Sequence, residues 1–291
     1  MTSANVRLLT WNIQCGCDDG SGLANGWARR MHALRNALID LDFDILCVQE
    51  ALPGQLAFLA ETLPEFACVS FARDSLAGEH GAIIFRTARF DRLDSGRFWL
   101  SDTPDRPGLC WDIHYRRICL WARLRDRENG ARFRVFNTHF PLLPAGGAKA
   151  ARLVAERMRA VADEPAILCG DFNSGPRSAA WRILQSSGLQ NSERRAGKAA
   201  GAKTFHKLGI ALCLDAVFVT PEWNVSSHRV VSSPAKQPRA SDHDGICVEL
   251  NCAPCVAADA PFANAGGGNE NRETQQRVDG KIVSRMFGTA Q

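Results

Sequence analysis

The sequence predicts an α/β protein in which two mixed β-sheets pack face to face with helices outside. Three observations lead there. Strand-length apolar runs and runs of helical spacing both recur, but without the strict alternation of a doubly wound parallel sheet. From residue 66 to residue 139, short apolar runs follow one another as antiparallel hairpins do. Six of the strands carry a polar group near one end. The sequence shows no internal repeat.

The first strand is expected over Val6–Cys15, "VRLLTWNIQC", followed by the loop "CDDGSGLANG". Trp27, Met31, Leu34, Leu38 and Leu41 recur at helical spacing and predict a helix. "DILCVQE" reads as a buried strand ending on Glu50, and a second helix runs from about Pro53 to Thr62. Strands follow around Phe66–Phe71, Ala82–Arg86, Arg97–Leu100, Ile118–Leu124 and Phe133–His139. "AKAARLVAERMRAVAD" predicts a helix with Leu153, Arg157 and Val161 on one side. "AILCGDF" is a strand, and "SAAWRILQSSG" a helix stopped by Gly188. The last strands are expected at Leu212–Thr220, Val225–Val231 and Ile246–Leu250.

The chain divides into a domain over residues 1–252 and a tail over 253–291. The tail, "APFANAGGGNENRETQQ" and beyond, is too poor in apolar residues to offset its ordering entropy, so disorder is expected. The net charge of +4 fits an anionic substrate but lacks the dense basic face of most nucleic-acid readers. Eleven cysteines are an odd number, and Cys47, Cys119, Cys169, Cys213 and Cys247 sit in apolar runs, where a thiol behaves as a small hydrophobe. Cys15–Cys17 and Cys252–Cys255 are the only close pairs, a weak zinc signal. No secretory signal and no membrane-spanning run stand out, so a cytoplasmic monomer is expected.

The polar strand ends carry the chemistry. Asn12 interrupts "LLTWNIQ", Glu50 ends "ILCVQ", and Asn137 and His139 end a strand in "FNTHF". Asp171 and Asn173 end "AILCG", Asp215 interrupts "ALCLDAVFV", and Asp242 and His243 open the final strand. Each has a structural reading alone: a helix-terminal acid, a core histidine, a turn. Together they need partners, ions or water, because an unpaired buried carboxylate costs several kcal/mol or shifts its pKa.

"TWNIQ", "VQE", "NTHF", "GDFNS", "LDAVFV" and "SDHDG", in that order, resemble the endonuclease/exonuclease/phosphatase superfamily over roughly Val6 to Leu250. "GRFWLSDTPDRPG" with "RRICLWARLRD" further resembles a bacterial branch of uncharacterised hydrolases. The resemblance implies a deoxyribonuclease I-like four-layer sandwich and a metal-dependent phosphoesterase. It implies Glu50 as principal metal ligand, with Asn12 and Asp242 completing the neighbourhood of Mg²⁺ or Mn²⁺. His243 would be the catalytic histidine, oriented by Asp215. Asp171 would position or deprotonate the attacking water, and either Asp171 or His243 could take the proton. Asn173 would donate to the phosphoryl group, and His139 would stabilise its charge. Arg117 lines up with an arginine near the phosphate, though a solvated edge charge fits it as well. Glu79 resembles an acidic position near the scissile group.

Nucleic acid is the expected substrate, on the strength of Arg97, Arg106, Arg116 and Arg117. Trp99 and Trp111, read as exposed, could stack on bases or line a lipid or sugar pocket. The alternatives are a phosphatase or phospholipase C-type hydrolase acting on a small molecule or lipid, and a catalytically silent binding domain. Two departures from the family pattern bear on substrate choice: Phe140-Pro141 before an apolar loop, and Cys213-Leu214 where an arginine is usual.

Overall fold

The computed structural model describes residues 5–16, 26–75, 77–111, 115–232 and 238–252. The tail expected after residue 252 lies outside them. One six-stranded sheet holds β1 (Asn5–Asn12), β2 (Ile45–Ala51), β3 (Phe66–Ala72), β4 (His80–Arg86), β13 (Trp223–Val231) and β14 (Gly245–Cys252). Its order is β13-β14-β1-β2-β4-β3. The second holds β5 (Phe90–Trp99), β6 (Ile118–Asp126), β7 (Arg132–His139), β8 (Ala166–Asp171), β9 (Gln190–Asn191) and β12 (Asp215–Val219), in the order β5-β6-β7-β8-β12-β9. Each sheet has one parallel pair, β1 with β2 and β7 with β8, and is otherwise antiparallel. A separate hairpin joins β10 (Phe205–Lys207) to β11 (Ile210–Leu212).

The layers follow from which faces are apolar. Val6, Leu8, Ile45, Cys47 and Ile83 of the first sheet interleave with Leu120, Val135, Ile167, Cys169 and Val217 of the second. On the outer face of the first sheet, Leu9, Trp11, Leu46 and Val48 meet Leu34 and Leu38 of α1 (Trp27–Asp40) and Leu59 of α2 (Pro53–Thr62). On the outer face of the second, Phe136, Leu168 and Phe218 meet Val154 of α3 (Pro144–Arg159) and Trp181 of α4 (Ala179–Ser186). The result is the helix–sheet–sheet–helix sandwich that the sequence predicts. A short α5 (Ser192–Arg195) follows β9. Cys47, Cys119, Cys169, Cys213 and Cys247 are all buried free thiols, as their apolar settings implied.

Several boundaries differ from expectation, each for a physical reason. β1 stops at Asn12, because Gln14 takes a left-handed backbone at φ +55° and turns the chain. β5 starts at Phe90, well before Arg97; it is a sheet edge, so its polar residues face water and hide the apolar alternation. The run from Leu212 is two strands, not one. Thr204 Oγ accepts from the Leu214 and Asp215 amides and breaks the run there. The last strand begins at Gly245, so Asp242 and His243 precede it. α3 starts four residues early, with Pro144 in its first turn, where a missing N–H costs nothing.

Gly170 shows how tightly β8 lies against β7. Its φ is +135°, and a Cβ there would sit 2.0 Å from the Thr138 carbonyl oxygen. Gly170→Ala is expected to lower unfolding free energy by about 3 kcal/mol or more, measured by urea denaturation.

Candidate active site

The polar strand ends converge because the two sheets share one edge. Asn12, Glu50, His139 and Asp171 lie at or next to the C-terminal ends of the two parallel pairs. β12 runs antiparallel to β8, so its first residue, Asp215, lies opposite Asp171. His139 lies opposite Asp171 on the other side. Asn12 ties the sheets together: its amide nitrogen is 3.0 Å from Glu50 Oε1 and 3.0 Å from Asp171 Oδ2.

Two overlapping groups meet on Asp171. Ligand atoms of Glu50, His139 and Asp171 lie within 4.8 Å of one another, and so do those of Asp171, Asp215 and His243. Glu50 adopts a left-handed backbone, φ +63°, where the β2–β4 register is broken between Val48 and Ala51. That conformation costs a non-glycine residue about 1 kcal/mol or more, and such strain concentrates at functional sites. It is held by the Cys15 amide, which donates to Glu50 Oε2 at 3.0 Å, and by Asn12.

His243 is fixed on several sides. Its Nδ1 is 2.8 Å from Asp215 Oδ2, and its Nε2 is 3.8 Å from Asp171 Oδ2. Its carbonyl accepts from the Trp11 indole at 2.9 Å, and its amide donates to Ser241 Oγ at 3.1 Å. The Phe205 ring packs edge-on at 5.0 Å. Burial alone would pull this imidazole's pKa down, but the carboxylates of Asp215, Asp171 and Asp242 outweigh it and push it up to about 10. Burial and the neighbouring Asp215 push Asp171 up to about 7, against the pull of His243.

His139 behaves oppositely. Burial, with Arg117 and Arg73 nearby, holds it well below the usual histidine range. Its Nδ1 is 2.9 Å from Arg117 Nη1. A guanidinium only donates, so Nδ1 accepts and the proton sits on Nε2, which faces Asp171 Oδ2 at 3.5 Å. Arg117 is buried rather than a solvated edge charge. Its Nε meets no partner among the described residues. With Glu50, Arg73, Glu79 and His139 it lines a small cleft. Glu79 accepts from Arg73 at 2.8 Å. Burial raises its pKa, which Arg73 partly offsets.

Asn173 lies beyond the end of β8 in a left-handed backbone, φ +48°. Its amide N–H donates to Asp171 Oδ1, and its side chain donates to the Phe140 carbonyl at 2.9 Å. Phe172 between them is fully buried against Phe140 and Phe218. Asp242 stands farther out, 3.9 Å from Lys207 Nζ, and joins neither group around Asp171. Asn137 serves the scaffold: it bonds Gln49 and the Val48 and Ala82 carbonyls of the opposite sheet.

One expectation about the rim needs correction. Trp99 is buried, its indole donating to the Arg73 carbonyl, because β5 places it on the covered face. Arg97 is exposed and lies over the Phe71 and Trp99 rings. Arg116 pairs with Asp74 at 3.1 Å.

Arg30 and Gln55 are supports that motif reading missed. Arg30 is buried on α1 and donates to the carbonyls of Ile13, Gln14, Cys15 and Ala240. Gln55 accepts from the Gly16 amide and donates to the Gln14 carbonyl. Together they fix the segment whose Cys15 amide holds Glu50. A signal existed: Arg30 falls on the buried stripe with Ala33, Leu34 and Ala37, where a charge must be paired. Arg30→Met removes its donors from four carbonyls, the buried ones of Ile13 and Ala240 among them. It is expected to cost about 3 kcal/mol of stability, measured by thermal melting, with Arg30→Lys recovering part.

Two packed mixed sheets, with carboxylates and imidazoles gathered at their shared edge, define a hydrolase sandwich of the deoxyribonuclease I type. Residues 9–243 match the model of the Endonuclease/Exonuclease/phosphatase family, and the chain belongs to that family. A solved family protein from Bacteroides thetaiotaomicron superposes with a TM-score of 0.79 at 28% identity, covering 87% of this chain and 100% of that one. A mannosyl-6-phosphatase from the same organism gives a TM-score of 0.75 at 30% identity, over 84% of this chain and 99% of that one. Nocturnin of Drosophila melanogaster is 28% identical over 200 residues, 59% of this chain but 29% of that protein. The chain thus spans under a third of that relative's length.

Proposed function

We propose that this chain hydrolyses a phosphate ester of a compact molecule, using a divalent cation at Glu50 and a water activated by Asp171. The observation that carries the reading is Asp171 itself: a buried carboxylate met by Asn12, His139 and His243, with its pKa raised to about 7. A general base works best when it titrates near the operating pH. His243, held protonated by Asp215, suits the acid role instead.

The donor set fits Mg²⁺ or Mn²⁺. The cluster offers carboxylate oxygens and one imidazole, with no thiolate among its ligand atoms. Glu50 would hold the ion with Asn12 bonded beside it, and Asp242, whose pKa Glu50 helps to raise, would complete the neighbourhood from outside both groups. Bound there, the cation supplies a Lewis acid for the charge that develops on the phosphoryl and leaving oxygens.

The chain's own groups divide the remaining work. Asp171 takes a proton from water as its oxygen bonds phosphorus in line with the leaving oxygen. His243 gives its Nε2 proton to the departing alcohol, and Asp215 keeps that imidazole charged and aimed. Arg117, with donors left over, and the Nε2–H of His139 meet the phosphoryl oxygens where charge builds. Asn173 adds a donor from beside Phe140, and Glu79 fixes Arg73 on the cleft wall.

A compact substrate is favoured over a polynucleotide by the rim. Trp99 is not free to stack on a base, and Arg116 pairs with Asp74 at the surface. The 30% identity to a mannosyl-6-phosphatase points the same way. With Mg²⁺ or Mn²⁺, sugar phosphates and p-nitrophenyl phosphate are expected to turn over at least tenfold faster than plasmid DNA or oligonucleotides. Preferential cleavage of DNA or RNA would return the substrate to nucleic acid, and no hydrolysis of any ester would leave a silent binding domain.

A further inference from the structure

Asp215 and His243 make their 2.8 Å bond across a seam. Asp215 opens β12 in the second sheet, and His243 precedes β14 in the first. Neither strand pairs with the other. The β8–β12 register sets Asp215 opposite Asp171, but no strand register sets His243 opposite Asp215.

Thr204 and Phe205 span that seam. Thr204 is fully buried and leads into β10, whose hairpin belongs to neither large sheet. Its hydroxyl oxygen accepts from the Leu214 amide at 3.3 Å and from the Asp215 amide at 3.2 Å. Its carbonyl accepts from the Asp244 amide at 2.6 Å. One residue thus bonds the backbone of Asp215 and the backbone of the residue after His243. Phe205 forms a single antiparallel bridge with His243, and its ring packs on the imidazole at 5.0 Å. The His206 amide closes the bridge on the Asp242 carbonyl at 2.7 Å. The clamp is itself anchored: Glu193, buried on α5, accepts from the Gly201 amide at 2.7 Å and the Ala202 amide at 3.2 Å. That ties down the chain just before Thr204. A valine would fill nearly the same space as Thr204, but it could not accept from either amide.

We infer that Thr204 is a positioning residue for the Asp215–His243 pair: its hydroxyl holds one partner and its carbonyl the other, while Phe205 braces the imidazole. The inference rests on the reading of His243 as the proton donor to the leaving oxygen, and it names what aims that donor. Thr204 acts through these two side chains. Groups that hold a reacting group within a fraction of an ångström govern its rate, and an error of about 1 Å costs about a hundredfold.

The test compares Thr204→Val with Thr204→Ser in the full chain, on two esters with Mg²⁺. A sugar phosphate releases an alkoxide that needs a proton; p-nitrophenyl phosphate releases a phenolate that needs one far less. Thr204→Val is expected to lower kcat on the sugar phosphate about tenfold to a hundredfold with KM little changed, and to lose much less on p-nitrophenyl phosphate. Thr204→Ser should recover most of the parent rate, because the acceptor oxygen returns. A second readout needs no turnover. With isotope-labelled histidine, the His243 Nδ1–H resonance, held at low field by Asp215, should move to higher field in Thr204→Val and stay in place in Thr204→Ser. Phe205→Leu should show the same pattern more weakly, and it carries the test if Thr204→Val does not fold. Equal losses on both esters, no rescue by serine, or an unmoved resonance in the folded variants overturns the inference. A parent that hydrolyses neither ester would instead strike the phosphoesterase reading, and the resonance alone would still decide whether Thr204 sets the pair.

Discussion

Asp171→Asn is expected to lower kcat about a thousandfold or more, with the protein still folded. The substitution keeps the shape and removes the proton acceptor. It also leaves one acceptor oxygen where the carboxylate serves both the Asn173 amide and the Asn12 side chain. The loss of one buried hydrogen bond is modest beside the loss of the base. The pH profile separates this from a structural effect. In the parent, kcat/KM should climb with pH on a limb set by Asp171, whose proton burial and Asp215 hold up to about 7 before any cation is bound. A cation bound beside Glu50 draws that limb to lower pH, since positive charge favours the carboxylate. In the variant the limb should vanish and only a low, flat rate remain. A limb that persists unchanged in Asp171→Asn would move the base assignment to another group.

Much of this architecture was legible in the sequence because it rests on periodicity. Buried strands such as Ile45–Ala51 and Ala166–Asp171 are nearly continuous apolar runs, so each polar residue that ends them stands out. Glu50 and Asp171 were visible for that reason. What stayed hidden depends on contacts between distant segments. The left-handed backbone of Glu50 reflects a register break against β4, which no local pattern encodes. The β11–β12 break comes from Thr204, ten residues upstream of Leu214, so "IALCLDAVFV" reads as one strand. Trp99 reads as exposed beside a polar stretch, yet it is buried with its indole on the Arg73 carbonyl, a contact between distant segments. Arg30 belongs to no motif. Only its position on the buried stripe distinguished it from Arg29 beside it.

Asp215→Asn should cost about a thousandfold to ten-thousandfold in kcat, although the proposed reaction asks for no contact between Asp215 and the substrate. In the proposed mechanism it sets both the tautomer and the charge of His243 through the 2.8 Å bond to Nδ1. Burial pulls that imidazole toward neutrality, and Asp215 is the foremost opposing influence. Without the carboxylate the balance tips: the His243 pKa falls from about 10, and at neutral pH a growing share of the enzyme lacks the proton for the leaving oxygen. The same change acts in reverse on Asp171, because Asp215 helps to raise it. The acid limb of kcat/KM should therefore move to lower pH while the maximum rate collapses, and an alkaline fall should enter the neutral range. An ester with a very acidic leaving alcohol, which needs no proton, should be spared much of the loss. If poor and good leaving groups suffer alike, His243 is not the acid, and Asp215 serves only to hold the His243 loop against β8.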